Sequence, residues 1–126
     1  MDRKTQLRLL IGVHLVWTFL LTPAAFETRP FSSFNPIGFA SLALIFTTVT
    51  LDIVTLLIVP RRTRLATTLA MVGTALFIPP FLVDRAGLFS SLGAPTAIVV
   101  LEYAALITQL AIGYVAYRLR KGTAAA

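Results

Sequence analysis

No cysteine occurs in these 126 residues, so disulfides, thiolate zinc sites, iron–sulfur clusters and cysteine nucleophiles are all excluded. A single histidine, His14, excludes bis-histidine haem within the chain and leaves an ordinary multi-histidine metal site without ligands. Neither a G-x-x-x-x-G-K-[ST] loop nor a G-x-G-x-x-G turn is present, so nucleotide chemistry has no support. No cofactor is expected. Charge is scarce as well: 13 % of residues are charged against 57 % hydrophobic. So few polar side chains could not cover a soluble domain, and so much apolar surface would not stay disordered.

What is present is apolar sequence in blocks. Four nearly uncharged stretches cover 9–26, 36–59, 65–83 and 95–117. Each is close to the ~20 residues needed to cross a hydrocarbon core as a helix. The expected fold is a single all-α transmembrane domain over 1–126, a four-transmembrane-helix bundle. The chain starts like a signal peptide, with a basic beginning and an apolar run into Thr22-Pro23-Ala24-Ala25. No clear small-x-small cleavage site follows, and the segment is read as a span.

The basic residues that make the formal net charge +6 are grouped. Arg3, Lys4 and Arg8 precede the first span, Arg61, Arg62 and Arg64 fill the second link, and Arg118, Arg120 and Lys121 follow the fourth. With four spans these nine share one side. The other side holds Arg29 and Arg85, each next to an acid, Glu27 or Asp84. The positive-inside rule then places both termini in the cytoplasm, in a plasma (cytoplasmic) membrane. The basic excess is thus a topology signal, with some attraction to anionic headgroups of the lipid bilayer, and no nucleic-acid partner is implied.

An internal repeat is also legible. A shift of 56 positions aligns R-L-L-I-G-V-H-L-V-W-T-F-L-L-T-P (8–23) with R-L-A-T-T-L-A-M-V-G-T-A-L-F-I-P (64–79). Farther on, F-S-S-F-N-P (31–36) parallels F-S-S-L-G-A-P (89–95). Shared leucines carry little weight, but the Arg, Thr, Pro and Phe-Ser-Ser matches suggest a duplicated helix hairpin, 8–62 and 64–121. Both halves start on the same side, so the expected relation is a parallel repeat with pseudo-two-fold symmetry.

Against this background a few polar residues stand inside the spans. An aspartate at a helix centre costs about 2.5–3.5 kcal/mol on an insertion scale, and the surrounding Leu, Ile, Phe and Val residues offset it at about 0.3–0.6 each. Asp52 is therefore tolerated, and it should face protein or water rather than lipid. Ser41, Thr48, Asp52 and Thr55 fall on one stripe of the second helix; His14, Trp17 and Thr18 on the first; Glu102, Ala105, Gln109, Gly113 and Ala116 on the fourth. Thr67, Ala70 and Thr74 give a milder face on the third. Counting about 1.5 Å per residue from the basic ends puts His14 about 9 Å deep, Asp52 about 12–14 Å and Gln109 about 13–14 Å. These three could form one layer suited to handling a proton or binding a ligand, and Thr48 and Thr74 join them as candidate residues of an intramembrane polar pathway. Glu102 lies in the outer half, level with Pro79-Pro80. It is expected either to hydrogen-bond a carbonyl freed by those prolines or to mark a second station of a path through Thr74 and Gln109.

No catalytic residue is assigned. Ser32, Ser33, Ser90 and Ser91 are expected outside, far from His14, so a serine hydrolase is not supported. The preferred reading is a protein acting by association, as accessory subunit of another membrane protein's complex or as a homo-oligomer, with Ala105, Gly113 and Ala116 as helix-packing positions. The competing reading is a small transporter or channel, proton-coupled through His14, Asp52, Gln109 and Glu102. A third is a lipid-facing enzyme using Asp52, Glu102 and His14.

Overall fold

The computed structural model describes residues 1–125, and among them it is helical with no named strand. Asp2 opens helix α1 (Arg3–Thr28) by accepting the Thr5 backbone N–H on its side chain at 2.8 Å. A single 3₁₀ turn at Phe31–Ser33 leads to α2 (Pro36–Ile58), whose first residue is a proline, at a position where a missing N–H is harmless. A short link then connects α2 to α3 (Thr63–Arg85), and a longer one leads on to α4 (Thr96–Ala125). All four helices are long and apolar enough to cross a membrane, and together they fit an integral membrane protein.

At several ends the helices outrun the apolar stretches that announce them. α1 begins six residues before Leu9 because Arg3, Lys4 and Arg8 are good helix formers that need not enter lipid. Helix α1 continues through Pro23 to Thr28, and α3 continues through Pro79 and Pro80 to Arg85. Threonines inside the spans bond back to the preceding turn, as in Thr18 to the His14 carbonyl (2.9 Å) and Thr22 to the Thr18 carbonyl (2.7 Å). Such bonds let a hydroxyl sit in an apolar medium without an unmet donor.

The bundle has two unlike ends. At the end carrying the termini and the α2–α3 link, Leu7, Ile11, Val59, Ala66, Ala70, Ile112 and Ala116 form a solid apolar core. At the opposite end, called here the linker end, the α1–α2 and α3–α4 connections pair with each other. Phe34 and Ser90 form an antiparallel bridge, Ser91 N–H donates to the Ser33 carbonyl at 2.7 Å, and Ser90 Oγ donates to Ser33 Oγ at 2.7 Å. These are the two Phe-Ser-Ser segments. Gly87, with φ of 77°, makes the reversal that leads from α3 into this link, a conformation L side chains disfavour.

Packing around the bundle is uneven. Helix α2 lies along α3, α1 along α4, and α3 along α4, while α1 and α2 scarcely touch. The seam between α1 and α2 opens at the linker end into a side pocket of about 100 Å³. Large side chains such as Phe19, Leu57, Val100 and Ile107 point outward, as expected of helices whose surroundings are lipid.

Candidate functional site in the middle of the bundle

The polar stripes of α1, α2 and α4 converge. His14, Asp52 and Gln109 are each completely buried. His14 Nε2 stands 3.7 Å from Asp52 Oδ2. On its other side, His14 Nδ1 is 3.2 Å from the Ala105 carbonyl, and because a carbonyl only accepts, Nδ1 must carry the hydrogen. That leaves the Nε2 lone pair turned toward Asp52. Phe77 packs its edge against the imidazole, with centroids 5.4 Å apart, and limits the ring's rotation.

Asp52 faces a small residue of α3. Gly73 of α3 lies opposite, where an added Cβ would come within 3.6 Å of Asp52 Oδ1. Thr48, one turn away, donates to the Gly73 carbonyl at 3.0 Å and Thr55 to the Ala66 carbonyl at 3.3 Å, which fixes α2 against α3 on both sides of the acid. Gln109 of α4 is fully buried as well. Its amide nitrogen donates to Thr74 Oγ1 at 2.9 Å, and Thr74 Oγ1 in turn donates to the Gln109 carbonyl at 3.1 Å.

Among the described residues, four buried atoms of this layer find no hydrogen-bond partner: His14 Nε2, both carboxylate oxygens of Asp52, and Gln109 Oε1. With Nδ1 carrying the imidazole hydrogen, every one of the four is an acceptor. A single added proton supplies one donor and so joins two of these four acceptors by a hydrogen bond. Placed on Asp52 it makes a donor toward Nε2 or Oε1; placed on Nε2 it makes a donor toward Asp52. At 3.7 Å direct transfer between them requires a small side-chain movement that shortens the gap.

Comparison of the chain with family models, with curated proteins and with solved structures returned no match.

A second polar cluster lies at the linker end. Arg29, 3 % exposed, grips Asp84 through two parallel bonds of 2.6 and 3.0 Å and reaches Glu102 at 3.2 Å. Arg85 bonds the other Glu102 oxygen at 2.6 Å and approaches Asp84 at 3.6 Å. Burial is the largest influence on the Arg29 guanidinium and works against its charge. The bonds and charges of Asp84 and Glu102 outweigh it and hold the group above its ordinary pKa.

This cluster corrects one sequence-based expectation. Glu102 accepts hydrogen bonds from two arginines and does not donate to a carbonyl freed by Pro79 or Pro80, because Arg29, just past the end of α1, reaches α4. Arg29 pairs with Asp84 and Glu102. Arg29 was missed as a site residue, although a lone arginine beside a span facing acids on two other helices is a usable signal.

Ala105, Gly113 and Ala116 all face the inside of the chain. Ala105 and Ala116 are buried, and a Cβ on Gly113 would lie 2.8 Å from both Cγ2 and Oγ1 of Thr74. Gly113→Ala is therefore expected to push Thr74 off Gln109 and to lower stability by about 1–3 kcal/mol, the range for overpacking. Thermal unfolding in detergent checks this. Gly12→Ala, with open space around it, serves as the control and should be neutral or slightly stabilising.

Proposed function

We propose that this protein moves protons across its membrane as a small carrier, with the proton held by Asp52 and His14 at mid-depth. The observation that carries the reading is the group of four buried acceptors with no donor, drawn from three helices. An uncompensated acceptor in an apolar medium is costly, and ionisable side chains are kept inside membranes chiefly where they act on protons, ions or ligands. A carrier is favoured over an open channel because the half nearer the termini is filled by apolar side chains, while the linker-end half opens into the side pocket. Among the pocket's walls are Phe77, which packs on His14, and Ala105, whose carbonyl holds it. The pocket stops short of His14, Asp52 and Gln109, which are fully buried and do not line it, so transport requires Phe77 and then the termini-end core to move in turn.

Orientation belongs to the same proposal. Nine basic residues gather at the termini end, whereas the linker end sets Arg29 and Arg85 against Glu27, Asp84 and Glu102. The positive-inside rule favours termini in the cytoplasm of a plasma membrane, with the pocket toward the outer face. Association with a second copy or another membrane protein has less support than its sequence pattern gave it, since Ala105, Gly113 and Ala116 pack within the chain. An enzyme using Asp52, His14 and Glu102 together has less still, since Glu102 is held by Arg29 and Arg85.

Purified protein in liposomes, with an entrapped pH dye and a valinomycin-clamped potassium potential, tests the proposal. Wild-type protein is expected to speed proton equilibration above protein-free liposomes. Asp52→Asn, which keeps the shape and supplies an N–H to the neighbouring acceptors, should fold and slow that flux by about tenfold or more. A wild-type rate no faster than empty liposomes, or an Asp52→Asn rate equal to wild type, would overturn it.

A further inference from the structure

The side pocket beside the α1–α2 seam, which the proposed carrier uses as its approach from the linker end, also has the walls of a ligand site. Leu21, Leu42, Ile45, Phe46 and Phe81 contribute to its apolar walls. One end is polar: Arg29, Asp84 and Glu102 line it as well. From Arg29 to Thr18, the deepest α1 residue on its wall, the helix advances about 16 Å. The pocket is therefore long, narrow and amphipathic, and it opens along the one helix seam that is not packed.

The polar end has an unused capacity of one kind. Both oxygens of Asp84 accept from Arg29, and the two oxygens of Glu102 accept from Arg29 and Arg85 respectively. Arg29 Nε, in contrast, is a buried N–H donor with no acceptor among the described residues; Arg85 Nε is unpartnered too, but Arg85 does not line the pocket. The cluster's carboxylates are engaged and its guanidiniums are not fully engaged, so the group it can still bind is an acceptor. An apolar channel ending at such a donor matches a chain with an anionic head.

We infer that this pocket binds a single-chain amphiphile with a carboxylate or similar anionic head, the head at Arg29 and the chain running toward Thr18. The ligand enters from the bilayer through the α1–α2 seam. The same chemistry could come from a free long-chain carboxylate or from one chain of an anionic phospholipid.

Equilibrium binding of radiolabelled dodecanoate to the full chain in dodecyl maltoside tests this directly and involves no proton flux. One saturable site per chain is expected, and unlabelled dodecanoate should displace the label at least tenfold better than dodecylamine or dodecanol. Ala25→Phe, which places a ring in the pocket from α1 without touching the ion pairs, should weaken binding tenfold or more with its unfolding temperature retained. Arg29→Lys, which keeps the charge but loses the forked donor, should weaken it as well. Displacement by phosphatidylglycerol assigns the head to a membrane lipid, and its failure to displace assigns it to a free carboxylate; both uphold the site. No saturable binding, equal displacement by dodecylamine, or full binding by a folded Ala25→Phe variant would overturn it. Because Asp52→Asn leaves the pocket intact, that variant should bind dodecanoate like wild type even if the proton proposal fails.

Discussion

Arg29→Met is expected to destabilise the protein by about 3–5 kcal/mol, the cost of removing one partner from a buried ion pair. The guanidinium is 3 % exposed and makes three bonds to two carboxylates from two other helices. Without it, Asp84 and Glu102 share Arg85 alone, and one negative charge is left uncompensated in an apolar setting. Thermal or SDS-driven unfolding in mixed micelles measures the loss. The double variant Arg29→Met with Asp84→Leu should recover part of it, because one charge of each sign is then removed and apolar groups take their places. A single variant as stable as wild type would mean that the cluster does not tie the helices together, and a double variant worse than the single one would contradict the ion-pair account.

Gly38→Ala is the second large effect expected. An added Cβ at Gly38 would fall 2.0 Å from the Phe89 carbonyl oxygen and 3.0 Å from its carbon. The obstruction is backbone, and no rotamer change relieves it. The same carbonyl accepts the Asn35 N–H at 3.1 Å, while the Asn35 side chain donates to the Leu88 carbonyl at 3.1 Å. Forcing α2 away from Phe89 breaks that joint between the two links. The expected cost lies at or above the top of the usual overpacking range of about 1–3 kcal/mol, and so exceeds that of Gly113→Ala, where a side chain can yield. Unfolding temperatures of the two variants, measured side by side, check the order; a Gly38→Ala protein more stable than Gly113→Ala would refute it.

Much of the central site was legible before any coordinates. His14, Asp52 and Gln109 fall in one layer when helix rise is counted from the basic ends, and the structure sets His14 Nε2 3.7 Å from Asp52 Oδ2 with all three residues fully buried. Thr48 and Thr74 also lie where the polar stripes put them, bonded to Gly73 and Gln109. Helix extents were legible to within a few residues except at the basic ends, where hydropathy marks the lipid boundary and the helix continues past it.

Sequence by itself determined the four apolar helices, the gathering of basic residues at one end and the polar stripe on each helix, because these depend only on composition and on the 3.6-residue period. Only the tertiary structure decided which polar groups at the linker end meet. Arg29 reaches Asp84 and Glu102, residues 55 and 73 positions away, because of how α1 is rotated and where it ends relative to α3 and α4. The open seam between α1 and α2, with its pocket, was equally beyond the sequence. The hairpin α3–α4 closes and the hairpin α1–α2 does not, although similar Phe-Ser-Ser links join both pairs. That difference lies in how side chains fill the space between neighbouring helices, a property of pairs of surfaces in contact and of no single stretch of chain.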